Sequence, residues 1–233
     1  VRKWLPILVL AAAQFVMVLD TTVMNVAISD VVADLDTTVS QVQLAITLYT
    51  LVMAGLMLTG GKLGDILGRR RAFAIGMVIY AAGSITTALS PNATVLIIGW
   101  SGLEGIGAAL VIPAIASLTA RNYSGADRAM AYGIIGGIAA AGVAAGPLIG
   151  GWVTETFTWR YVFAGETVVI AGVLLALRVI KDAPKVEPRP ALDVVGAVLS
   201  ASGMGLIVFG LLRIPSPAPR SRRWASRRCR SSS

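Results

Sequence analysis

The chain has 233 residues, 56% hydrophobic and only 14% charged, against about a quarter charged in an ordinary globular domain. Its formal net charge of +8 is a terminal effect: without the seven arginines from Arg213 to Arg230 the balance is +1, so the basicity is no sign of a nucleic-acid partner. Histidine is absent and the single cysteine, Cys229, lies in that same tail. This excludes a disulfide framework and a thiolate metal site and removes the commonest general base, so neither metal nor cofactor is expected.

Apolar runs predict seven helical spans, at about 5–29, 42–61, 72–90, 94–119, 129–153, 161–180 and 193–213. Each approaches the roughly 20 residues that a bilayer requires. Backbone groups in hydrocarbon need internal partners, which forces helix through each run. No period-two alternation runs long enough for a barrel strand. The expected fold is therefore an all-α integral membrane protein whose consecutive helices run antiparallel. The start, Val1, Arg2 and Lys3 followed by Trp4, reads as a first span and not as a removed signal peptide. With the N-terminus inside, twelve lysines and arginines fall on the cytoplasmic side, among them Lys62, Arg121 and Lys181, and only Arg160 faces outward before the tail. That bias sets a multi-pass topology in the cell membrane with the N-terminus cytoplasmic.

In the first span, Asp20 stands among apolar residues, where an ionised side chain costs on the order of 3 kcal/mol. It is either wetted near the outer end of its helix or set in a cavity. Thr21, Thr22 and Asn25 offer a polar stripe for the second arrangement, which is favoured. The connection after the second span is Gly61-Lys62-Leu63-Gly64-Asp65-Ile66-Leu67-Gly68-Arg69-Arg70-Arg71. Its glycines permit a tight reversal, and Asp65 can cap the next helix or pair with the arginines. In the fourth span, Trp100, Ser101 and Glu104 sit among glycines and alanines. Glu104 must face protein or water, either as a proton acceptor or as a protonated donor between helices. Trp100 either stacks over a flat ligand or packs as an interfacial residue.

Gly142, Gly146 and Gly150 recur every four residues in the fifth span, with Pro147 and Gly151 beside them. They predict a smooth packing face with a kink at the proline. Beyond it, Trp159 and Tyr161 read as an aromatic belt, Arg160 as an interfacial anchor, and Glu166 as a shallow, solvated residue or else a third cavity acid. Residues 181–192 form a charged, proline-rich linker and residues 214–233 a basic low-complexity tail, expected to be disordered.

Four stretches resemble one family: Leu19-Asp20-x-Thr22-Val23-x-Asn25, the basic segment 61–71, Gly142–Gly151, and Trp159-Arg160-Tyr161-x-Phe163. Together they are similar to the fourteen-span drug:proton antiporter branch of the major facilitator superfamily. The resemblance implies a six-helix N-terminal bundle over 1–180, a cytoplasmic linker over 181–192 and a seventh helix over 193–213, the chain being truncated there. It implies a cytoplasmic latch at Asp65 and Arg69, and a coupling or substrate path near Asp20. Where that branch carries an arginine implicated in proton coupling, this chain has Ser101, with Glu104 close by to take over the role. The implied function is proton-driven multidrug efflux rather than enzymatic chemistry. The implied partners are a small-molecule substrate, protons, the lipid bilayer and a missing C-terminal half. The alternative is a membrane fragment, assembly protein or sensor with no transport of its own. The tail is expected to be a frameshifted or truncated reading.

Overall fold

The computed structural model describes residues 3–182 and 194–212, and every regular element among them is helical. Most of the expected linker, together with the 214–233 tail and Cys229, lies outside the described residues. α1 (Leu5–Val26) has proline in its first turn, where a backbone N–H has no intrahelical acceptor to lose. It ends at Ala27, and the short α2 (Ile28–Asp34) follows directly. α3 (Val39–Leu67) is capped by Thr38, whose hydroxyl accepts the Gln41 N–H at 3.3 Å.

The first departure from the sequence expectation comes at the basic segment. Residues 61–71 are not a loop: α3 continues to Leu67 and α4 (Arg69–Ala88) starts two residues later. Gly68 alone makes the turn, at φ +97°, a region open chiefly to glycine. The glycines before it stay helical because tertiary packing overrides their weak propensity. Gly60 lies directly on the carbonyl of Ala109, and a side chain at Gly61 would meet Pro113.

The fourth span is composite. Asn92 caps α5 (Ala93–Leu96) by accepting the Val95 N–H at 3.0 Å. The helix then widens into a π-helical stretch, Ile97–Glu104, before continuing as α6 (Gly105–Asn122). α7 (Gly125–Thr156) passes through Pro147 as one helix. α8 (Arg160–Ala176) closes with a 3₁₀ turn, Leu177–Val179. The seventh expected segment is helical as α9 (Val194–Leu212) and lies against α3.

Six of these helical segments are long and apolar enough to cross a membrane. α1 and the composite 93–122 span form the centre: 61% of the apolar window is buried in each, against 22% for α3 and 17% for α7. α1 is flanked by α7 and α8, while α6 packs between α3 and α4. Large side chains such as Leu58, Leu148 and Leu175 stay exposed on the outside, as a lipid-facing surface requires. The bundle thus has two buried central spans and two spans, α3 and α7, with open flanks.

Candidate functional site

Asp20 is fully buried and holds two strong donors. The Tyr80 hydroxyl donates to its Oδ2 at 2.7 Å, and the Trp100 indole N–H donates to Oδ1 and Oδ2 at 2.8 and 2.9 Å. Charge-assisted bonds of this kind satisfy a carboxylate better than neutral ones. Trp100 is held in place by Tyr49 on α3, stacked at a centroid separation of 5.0 Å and 11° between planes. Its neighbour Ser101 donates to the carbonyl of Ala45 at 2.8 Å, pinning the π-helical stretch to α3.

Two more carboxylates complete the centre. Glu104 and Glu166 are buried, and one oxygen from each lies with one of Asp20 in a group no more than 4.8 Å across. The Thr87 hydroxyl donates to the Gly83 carbonyl at 2.9 Å and lies 3.4 Å from Glu104 Oε1, and Ser84 donates to Glu166 Oε2 at 3.4 Å. The remaining oxygens, Glu104 Oε2 and Glu166 Oε1, are buried and have no hydrogen-bond donor among the described residues. Among the described residues, the ion pairs all lie elsewhere. Three negative charges this close, with no cation beside them, repel strongly at low dielectric, so the cluster must share protons or hold a cation.

Local structure explains the convergence. Tyr80, Ser84 and Thr87 recur at i, i+4 and i+7, on one face of α4. The π-helical stretch carries Trp100 and Glu104, and such stretches occur frequently at functional sites. Gly83 admits the two backbones to each other: a Cβ there would fall 2.8 Å from both the Glu104 nitrogen and the Gly99 oxygen. Gly107 does the same farther along, where a Cβ would lie 2.8 Å from Gly76 O and Tyr80 N.

The structure brings Asp20, Trp100 and Glu104 together, with Ser101 adjacent. Asn25 is not with them. It is exposed, donates to Thr21 O at 2.7 Å, and lines a separate groove with Gln43 and Thr47. The expected polar stripe is spent on its own helix, since Thr21 and Thr22 donate to carbonyls at Val18 and Leu19. Glu166 corrects the shallow reading: it is a third buried acid. Trp159 corrects the aromatic belt. It is buried, and its indole N–H donates to Asp34 at 3.0 Å. Tyr161 is exposed, as a belt residue would be.

Arg160 is more than an anchor. Its Nη2 pairs with Asp34 at 2.8 Å, its Nη1 donates to the Ala88 carbonyl at 2.8 Å, and its guanidinium lies 4.7 Å from the Trp159 ring centre. It therefore joins the ends of α2, α4 and α8. At the opposite, basic end, Asp65 pairs with Arg69 across the Gly68 turn. The Arg70 backbone N–H donates to Asp182 at 3.3 Å, whereas Arg71 is exposed. The glycine face of α7 packs on α1: Cβ atoms at Gly142 and Gly150 would lie 3.1 Å from Val18 and Val23, and Gly146 faces Thr22. Gly151 points into open space, outside this packing face.

An all-helical chain with six spans and a buried polar centre is a multi-pass membrane protein. It belongs to the Major Facilitator Superfamily, whose sequence profile matches residues 10–227. The chain is 33% identical to the puromycin resistance protein pur8 of Streptomyces alboniger, over 92% of its own length and 43% of that protein's. It is 39% identical to the cephamycin export protein of Amycolatopsis lactamdurans, over 88% and 43%. The fold matches a crystal structure of the peptide transporter POT in complex with sulfate, with a TM-score of 0.69 at 18% identity, covering 89% of this chain and 45% of that one. The chain spans less than half the length of each of these proteins.

Proposed function

We propose that the chain forms the N-terminal half of a proton-driven exporter of small, mostly hydrophobic or cationic molecules. In this reading it lies in the cell membrane with its N-terminus cytoplasmic, and α9 crosses as a seventh span. The observation that carries the proposal is the buried triad of Asp20, Glu104 and Glu166, which has no basic partner among the described residues yet lies between three spans at the centre of the bundle. Intramembrane carboxylates are costly to insert and mark ion paths and proton relays. The names of the relatives, which describe resistance and export, support efflux as the direction.

In the proposed cycle, the donors on Asp20 hold it as an acceptor, while the undonated oxygens of Glu104 and Glu166 take and release protons. A proton on either glutamate turns it into a donor toward the neighbouring carboxylate and removes one repulsive charge. Binding of a cationic substrate near the cluster favours proton release, and the reverse resets it. Such a ligand shifts the equilibrium between access states only through its different affinity for them. The second half of the site comes from a C-terminal bundle seated on the open flanks of α3 and α7, and the two halves rock about it. Asp65 and Arg69 serve as a latch at the basic end.

A chimera joining residues 1–213 to the second half of the cephamycin export protein tests this. In everted vesicles it should show substrate uptake that collapses with the pH gradient. Asp20→Asn and Glu104→Gln should each abolish that uptake while leaving the protein inserted, and the 233-residue chain alone should show none. If both variants retain gradient-driven uptake, the triad is structural.

A further inference from the structure

Away from the triad, an apolar groove of about 470 Å³ opens between α1 and α8, lined by residues of those two helices alone. Leu5, Val9 and Ala12 form one side, and Val169, Gly172 and Ala176 the other. The Tyr123 hydroxyl donates to the Lys3 carbonyl, and its neighbour Asn122 accepts the Lys181 backbone N–H. The start of α1 and the end of α8 therefore meet at one end of the bundle, with Leu5 and Ala176 both there. Gly172 leaves the groove unfilled, since a Cβ on it would meet nothing within 4 Å. Leu5 to Ala12 and Val169 to Ala176 each cover about 10 Å of helix, less than half of the roughly 30 Å of hydrocarbon in a bilayer. A helix docked from a partner would cross the whole core, whereas a groove this short matches an acyl chain of one leaflet.

The end where Leu5 and Ala176 meet lies at headgroup level. Trp4 stacks there on Tyr123 at a centroid separation of 5.4 Å, as an interfacial aromatic does. Lys3 and Arg178 lie two residues beyond Leu5 and Ala176, and both are exposed. Lys3 is paired with Asp127 at 2.7 Å, but Arg178 makes no ion pair among the described residues. The nearby acids are already engaged, Asp127 by Lys3 and Asp182 by the Arg70 N–H. A free guanidinium presents a planar fork of donors that suits phosphate oxygens. We propose that the groove between α1 and α8 binds one anionic phospholipid, with an acyl chain along Gly172 and the phosphate on Arg178. This site is separate from the triad and does not rest on proton coupling.

The test uses the full 233-residue chain, delipidated in detergent and mixed with equal amounts of dioleoylphosphatidylglycerol and dioleoylphosphatidylcholine. Native mass spectrometry counts the lipids that each chain retains. One phosphatidylglycerol per chain is expected, preferred about fivefold over phosphatidylcholine, as a single cation at an anionic headgroup supplies. Arg178→Gln should bring that preference close to parity. Gly172→Leu, which puts a side chain into open space within the groove, should lose the retained lipid. Gly165→Leu, on the same helix and equally open but outside the groove, should retain it as wild type does. A ladder of both lipids without preference means a nonspecific annulus and overturns the proposal. Wild-type retention in Gly172→Leu, equal loss in Gly165→Leu, or an unchanged preference in Arg178→Gln overturns it as well. A lipid-free dimer that Gly172→Leu breaks would assign the groove to a second copy of the chain. Loss of the lipid in the chimera with a second half would assign it to that half, and either result overturns the proposal while leaving the triad untouched.

Discussion

Asp20 shows how far a single residue can be read before its neighbours are known. A charged side chain in an apolar span is conspicuous in any sequence, and so is Glu104. Their partners are less so: the Tyr80, Ser84 and Thr87 stripe is a legible helical pattern, but hydroxyls in apolar helices usually bond to their own backbone, as Thr86 does with Ala82. Glu166 is misread because it lies only six residues from Arg160, close enough to the end of its span to suggest water. Its burial comes from α4, which no local pattern announces. The donors on Asp20 give a direct expectation. Trp100→Phe keeps the ring on Tyr49 but removes the indole N–H, and Tyr80→Phe removes the other donor. Losing a bond to a charged group costs about 2 kcal/mol. Each variant should therefore unfold at lower temperature in detergent, with the pair less than additive because both act on one carboxylate. Wild-type midpoints in both would show that Asp20 does not depend on them.

At the scale of elements, the spans were legible because long apolar runs leave the backbone no alternative to helix. Their ends were not. α3 overran its expected end because Gly60 and Gly61 pack against the fourth span, a contact between residues some 50 positions apart that propensity does not register. The π-helical stretch carries no local signature either, since its residues would suit an ordinary helix equally well. The glycine face of α7 was legible as a face, yet its extent was not: Gly151 follows the same motif and points away from α1. This contrast is testable. Gly146→Leu should drive α7 off Thr22 and broaden or abolish the monodisperse peak in fluorescence-detected size-exclusion chromatography, since overpacking costs about 1–3 kcal/mol or more. Gly151→Leu should elute like wild type. Equal behaviour of the two would remove the packing role assigned to the face.

The described residues hold six helical segments of membrane-spanning length, with most of their basic side chains at one end of the bundle. Lys3, Lys62, Arg69, Arg121 and Arg178 share the basic end, and Arg160 sits at the other with Asp34. The orientation inferred from this sorting has a simple check in a Cys229→Ser background. Asn92→Cys should react with a membrane-impermeant maleimide added outside intact cells, and Lys62→Cys only after permeabilisation. The reverse pattern would invert the topology and place the Asp65–Arg69 pair outside.

Arg160 has a consequence for the order in which the chain is made. Its two main partners, Asp34 and the Ala88 carbonyl, leave the ribosome more than 70 residues before it does. Until the sixth span emerges, the ends of the first and third near Asp34 and Ala88 have no guanidinium between them, and Asp34 waits without its counter-charge. The last span of the bundle therefore acts as a closing stitch: earlier helices can enter the bilayer one by one, but their ends on that side are fastened together only when synthesis has passed residue 160.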